Sequence, residues 1–167
     1  MDAKRYYPQT VLIKSYIVLR LSKIADYGTK IMLAVALKPN CWSAASSIAA
    51  ETKVSLPMVI KVLKMLSKGS LLLSQRGSQG GYRLARSAAM INLAEIVRVL
   101  DGDIAMTECQ QQTGCCQIEA HCGVKGNWLV ISHVIINVLQ NISLAQMSQP
   151  IQAKQIPLIF DWTSANE

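Results

Sequence analysis

The stretch Ser55 to Leu84, SLPMVIKVLKMLSKGSLLLSQRGSQGGYRL, decides how this chain folds. Ser55 is a suitable helix cap and Pro57 is tolerated in a first turn, where its missing N–H costs nothing. Val59, Val62, Leu63 and Leu66 then recur at i, i+3, i+4 and i+7, the stripe by which a helix packs on a core. Pro57, Lys61, Lys64 and Lys68 follow i, i+4, i+7 and i+11 on another face, so three ammonium groups line the side turned away from the core. Beyond Gly69, the runs Leu71 to Arg76 and Tyr82 to Ala85 flank Gly77-Ser78-Gln79-Gly80-Gly81 and read as a β-hairpin with a glycine-rich tip. Arg76, Arg83 and Arg86 charge its flanks.

Working upstream, Thr52-Lys53-Val54 is a turn of the length that joins two helices, and a short helix over Ser46 to Glu51 precedes it. Ser22 caps a further helix with Ile24, Tyr27, Ile31, Met32 and Val35 at helical spacing, ended by Pro39-Asn40. Cys41, beside Trp42, reads as a small buried or half-buried residue. Downstream, Asn92 and Glu95 have the spacing of a capping box, and Ile96, Val97, Val99 and Leu100 give the next helix its apolar face until Gly102 stops it. Helix, turn, helix and basic hairpin in that order make a winged helix. A solvated surface helix can carry lysines too, and it is this order that argues for a recognition helix.

The charge is distributed accordingly. Residues 1–86 hold 14 lysines and arginines against 3 acidic residues, whereas residues 87–167 hold 3 against 7. The self-repulsion of the first half is relieved by an anionic partner, a phosphate backbone or an anionic membrane surface. At 167 residues the chain suggests one compact domain with appendages rather than two full domains, and its 51% hydrophobic content excludes a disordered chain.

Four of the five cysteines fall within fourteen residues of the polar segment TECQQQTGCCQIEAHCGVKG, Thr107 to Gly126. Cys109, Cys116 and Cys122 are separated by six and five intervening residues, a spacing that lets three thiolates wrap around one metal centre. An odd cysteine count without a secretory signal argues against a disulfide framework and for a reducing cytoplasmic location. Thiolates are the usual ligands of iron-sulfur clusters and also suit zinc or copper(I), although the paired short knuckles of a structural zinc site are absent. Trp128 to Leu144 is apolar, with His133, Asn137, Gln140 and Asn141 recurring on one side. It reads as an amphipathic helix whose wide apolar face calls for a partner helix from a second copy, not as a membrane span. No nucleophile, base and orienting group occur together, so an enzyme is not expected.

The run LRLSKIADYG from Leu19 to Gly28, the segment Ser55 to Leu72, the wing RGSQGGY from Arg76 to Tyr82 and the three-cysteine loop together resemble the bacterial iron-sulfur transcription regulators typified by IscR and NsrR. The closest likeness is to the proteobacterial regulators of the SUF cluster-assembly operon, and it covers about Leu19 to Met147. The resemblance implies a mainly α fold with a small β-hairpin: a winged helix-turn-helix plus a long C-terminal dimerisation helix. It divides the chain into an extension over 1–18, a DNA-binding domain over 19–104, a cluster-binding loop over 105–126, a dimerisation helix over 127–147 and an irregular tail over 148–167. The extension reads either as disordered or as the product of an upstream start assignment.

The resemblance further implies a homodimer that binds double-stranded DNA and holds an iron-sulfur cluster of the [2Fe-2S] type. Cys109, Cys116 and Cys122 match the SUF-type ligand spacing, while Cys115 would match the IscR spacing and is the alternate. Lys125 stands where IscR-like proteins place a histidine, so Asp26, at the position of the aspartate in NsrR-like proteins, becomes the candidate fourth ligand, with His121 as runner-up. Ser55, Pro57, Lys61 and Lys64 are expected to meet DNA from the recognition helix, and Arg76, Gln79 and Tyr82 from the wing. Ile60 replaces the polar or acidic residue that family members turn to the bases. The implied function is cluster-sensing repression of cluster-assembly genes. Nitric oxide or redox sensing is the alternative within the class, and a metal-carrying or electron-transfer protein the alternative outside it.

Overall fold

The computed structural model describes residues 21–77, 79–107, 110, 116, 118 and 121–151. Within them, in chain order, lie α1 (Lys23–Ala36), α2 (Ala45–Thr52), α3 (Leu56–Lys68), β1 (Leu72–Gln75), β2 (Gly81–Leu84), a 3-10 turn (Ala88–Met90), α4 (Leu93–Asp101), α5 (Lys125–Gln140) and α6 (Leu144–Met147). The architecture is mainly helical with one small antiparallel sheet, as expected. No helix among the described residues is long and apolar enough to cross a membrane.

The apolar spacing of each helix becomes the core. Ile31, Met32 and Val35 of α1 and Ile48 of α2 meet Val59, Val62, Leu63 and Leu66 of α3, together with Leu71, Leu72, Ile91, Ile96, Leu100 and Leu144. All four stripe residues of α3 are fully buried. Ser22 caps α1 by accepting a hydrogen bond from Ala25 N at 3.1 Å. Its hydroxyl also donates to Asp101 Oδ1 at 2.5 Å, joining the start of α1 to the end of α4. The two helices pack so closely that a Cβ on Gly28 would lie 2.0 Å from Leu100 Cδ1. Asn92 and Glu95 form the expected capping box, with Glu95 N donating to Asn92 Oδ1 at 2.9 Å and Asn92 N to Glu95 Oε1 at 3.3 Å.

The hairpin pairs Leu72 with Leu84, Leu73 with Arg83, Ser74 with Tyr82 and Gln75 with Gly81. A contact invisible to local sequence extends it: Ser43 and Tyr82 exchange two backbone hydrogen bonds of 2.9 Å, which dock the linker after α1 onto the outer edge of β2. Gly81 makes this possible. Its φ is +150°, and a Cβ there would stand 2.5 Å from Ser43 O.

Two expectations fail. The long helix begins at Lys125 and ends at Gln140, not at Met147. Beyond it, Leu93 N donates to Ile142 O at 2.9 Å and Leu144 N to Ile91 O at 2.8 Å, so the chain leaves the helix to pair with the start of α4. Ser143 and Gln146 then form a second capping box that opens α6. Long-range pairing and a fresh cap together outcompete helical continuation, and they bury Ile142 and Leu144. The second failure is Cys41, which is exposed.

Candidate nucleic-acid interface and cysteine loop

α2 and α3 are joined through Lys53, whose φ of +58° and ψ of +23° reverse the chain in the left-handed region. Thr52 pins this turn, its hydroxyl donating to Ile48 O at 2.7 Å while accepting from Val54 N at 3.4 Å. Val54 is buried beneath it. α3 therefore leaves the turn at an angle set by packing. Its buried stripe faces α1 and α2, and Lys61, Lys64 and Lys68 are all exposed.

Ser55 occupies the N-cap position, but its side chain makes no capping hydrogen bond, contrary to the expectation. It is exposed, as are Leu56 and Pro57, and the first turn contains no acidic residue. The start of α3 thus offers the positive end of a helix and an exposed hydroxyl without a competing carboxylate. On the wing, Arg76 and Gln79 are exposed. Tyr82 is different: it is half-buried and packs against the core, which makes it an anchor of the wing. Sequence reasoning missed Trp42, over whose ring the Arg83 guanidinium lies at 4.6 Å from the centroid, a second tie between the linker and β2.

The cysteine loop leaves α4 at Gly102 and enters α5 at Lys125. Cys116 and Cys122 are half-buried free thiols; Cys109 and Cys115 lie outside the described residues. Cys122 stands directly before α5, where its carbonyl accepts from Lys125 N at 3.4 Å. His121 is exposed. Asp26 is exposed in the first turn of α1, where a carboxylate is also what the helix dipole favours. Among the described residues, no three His, Cys, Asp or Glu side chains stand close enough to hold a metal ion.

One contact of the loop belongs to a residue that the sequence reading passed over. Gln110 Oε1 accepts from Met106 N at 2.8 Å and from Ser132 Oγ at 2.8 Å. Its Nε2 is buried without a partner among the described residues. Ser132 is the single buried residue of α5, so this carboxamide is a polar pin between loop and helix.

A family model for Rrf2, described as an iron-dependent transcriptional regulator, matches residues 21–150. The chain belongs to the Rrf2 family. Among Rrf2-type relatives, the HTH-type transcriptional regulator ORF2 of Azotobacter vinelandii is 33% identical over 130 residues, 77% of this chain and 79% of its own length. The HTH-type transcriptional regulator IscR of Erwinia tasmaniensis is 29% identical over 150 residues, 89% of this chain and 88% of its own. Among solved structures, CymR, the global cysteine regulator of B. subtilis, aligns with a TM-score of 0.63 at 26% identity, over 78% of this chain and 96% of its own. As an Rrf2 protein the chain is a transcriptional regulator of the winged-helix kind.

Proposed function

We propose that this Rrf2 protein is a cytoplasmic, homodimeric repressor of SUF-type cluster-assembly genes, whose DNA affinity responds to an iron-sulfur cluster of the [2Fe-2S] type held by Cys109, Cys116 and Cys122. The observation that carries the DNA reading is the exposed row Lys61, Lys64 and Lys68 opposite the buried stripe of α3. Ser55, Pro57, Lys61 and Lys64 meet the duplex from α3, Arg76 and Gln79 reach it from the wing, and Tyr82 holds the wing in place.

The residues of the loop suit such a group. Cys116 and Cys122 carry free, half-buried thiols, and the Nε2 of Gln110, without a partner among the described residues, is a buried donor that matches sulfur acceptors. When bound, the cluster supplies an oxidant-sensitive charge centre. Asp26 is the proposed fourth ligand, reached across the dimer, and Cys115 is the alternate thiolate. Gln110 and Ser132 transmit loop position to α5, and α5 sets the separation of two recognition helices. Coupling of this kind is reciprocal: operator DNA changes cluster retention by the same factor as the cluster changes DNA affinity.

Operator affinity measured for cluster-loaded and cluster-free protein tests the proposal, and equal affinities would end it. Anaerobically purified protein is expected to be coloured and to contain iron and sulfide, with the signal lost on Cys109→Ala, Cys116→Ala or Cys122→Ala. A colourless protein that still binds DNA would favour a second reading, prompted by the likeness to CymR, the global cysteine regulator of B. subtilis: a regulator that works without a cluster.

A further inference from the structure

The end of α1 and the base of the wing border a half-open cavity of about 480 Å³, remote in sequence from the cysteine loop. Its volume is in the range of ligand pockets, about 300–1,000 Å³. The walls are chemically divided. Val35, Leu73 and Leu84 supply apolar surface, while Lys38, Arg83 and Arg86 bring three cations, and none of its lining residues is acidic.

Two of these cations already have carboxylate partners from outside the lining: Lys38 pairs with Glu51, and Arg86 with Glu95 at 2.5 Å. Arg83 has none among the described residues. Its guanidinium is held over Trp42, and its Nε is buried without a hydrogen-bond acceptor. A buried donor on a cation is costly to leave unpaired, so the arrangement is complete only when an acceptor is supplied. Leu37 N and Lys38 N occupy Leu33 O and Val35 O at 3.1 and 3.2 Å, and the partial negative charge that remains at the end of α1 is outweighed by the three cations of the lining.

We propose that this cavity is a receptor site for a small organic anion, one carboxylate or phosphate group on a compact apolar body, with Arg83 as the principal ligand-binding residue. The head group accepts from Arg83 and Lys38, and the body rests on Val35, Leu73 and Leu84. Leu73 and Arg83 are cross-strand partners in the hairpin, so an occupant touches both strands of the wing. The site stands independently of any cluster.

Phenyl phosphate titrated into the full-length, DNA-free protein at low salt, followed by calorimetry, tests this. One saturable site per chain is expected, weakened at least about tenfold by Arg83→Gln, with inorganic phosphate at least about tenfold weaker than phenyl phosphate because it lacks the body. Should Arg83→Gln fail to fold, Arg83→Lys and Lys38→Gln carry the same expectation. Absence of saturable binding, or unchanged affinity in the folded variants, would overturn the proposal. So would stoichiometric displacement of phenyl phosphate by duplex DNA, which would assign the oxyanion to the DNA backbone.

Discussion

Ser132 donates its hydroxyl hydrogen to Gln110 Oε1 across 2.8 Å, and this contact fastens the cysteine loop to α5. Met106 N shares the same acceptor, so the carboxamide is held from both the loop and the helix. Ser132→Ala removes one donor and leaves the other. The expected cost in stability is about 1 kcal/mol, measurable by urea unfolding. If the pin transmits loop position, the ratio of operator affinities between cluster-loaded and cluster-free protein falls toward one in this variant, with cluster content retained. A ratio identical to that of the unaltered protein would show the pin to be purely structural.

Lys61 and Lys64 are exposed on α3 and contribute no core packing. Lys61→Ala and Lys64→Ala are therefore expected to leave the melting temperature unchanged. Where each lysine meets a phosphate, its loss lowers the slope of log affinity against log salt by about one and weakens binding at all sequences alike. Fluorescence anisotropy over a salt series reads this. A loss confined to one base pair of the operator would instead identify base readout.

Two glycines are under different constraints. Gly28→Ala drives a Cβ into the Leu100 side chain, which is itself core and has little room to yield, at an expected cost of about 1–3 kcal/mol. Gly81→Ala meets backbone, Ser43 O, and demands a φ that alanine resists. Gly28→Ala is expected to lower global stability, and Gly81→Ala to release the Ser43 to Tyr82 pairing. Amide exchange at Ser43 and Tyr82 distinguishes them, with protection lost only in the second variant.

The Glu51 carboxyl is held below its ordinary value of 4.5, mainly by its hydrogen bond with Lys38, with Ser47 Oγ donating as well at 3.2 Å. A lowered folded-state pKa means that the contribution is present above 4.5 and is lost as pH falls through the lowered value. Both partners are well exposed, so the effect is small and screened by salt. The stability difference between the unaltered protein and Glu51→Gln is expected to be constant from pH 5 to 7 and to vanish in acid. A difference that grows on acidification would have the wrong sign for this pair.

Local pattern and local caps were legible because they depend on residues three or four apart. The stripe Val59, Val62, Leu63 and Leu66, the Ser22 cap and the Asn92 to Glu95 box all fall in this class. The pairing of Ser43 with Tyr82 and of Ile142 with Leu93 was not, since each joins segments about 40 to 50 residues apart that carry no turn or periodicity signal. Ser143 was legible in principle, because Gln146 lies three residues on, yet the apolar run around it has helical spacing on both sides. Gln110 was hidden between cysteines that drew the chemical argument, and its role depends on Ser132 across 22 residues.

α5 carries the remaining prediction. Trp128, Leu129 and Ile131 are 38%, 38% and 42% exposed, and every other apolar residue of the helix is only half-buried. Several large apolar side chains on successive turns, with Ser132 alone buried, are more than scattered surface hydrophobes and call for a covering surface. A second copy supplies it most economically, because two identical faces are self-complementary about a twofold axis. Ile131→Glu places a charge in that face without touching the core of the winged helix. Sedimentation equilibrium is expected to show a dimer for the unaltered protein and a folded monomer for the variant. Operator affinity should fall with the dimer, since a lone recognition helix reads only one half-site. A variant that remains dimeric would place the interface elsewhere and leave this apolar face to a different partner.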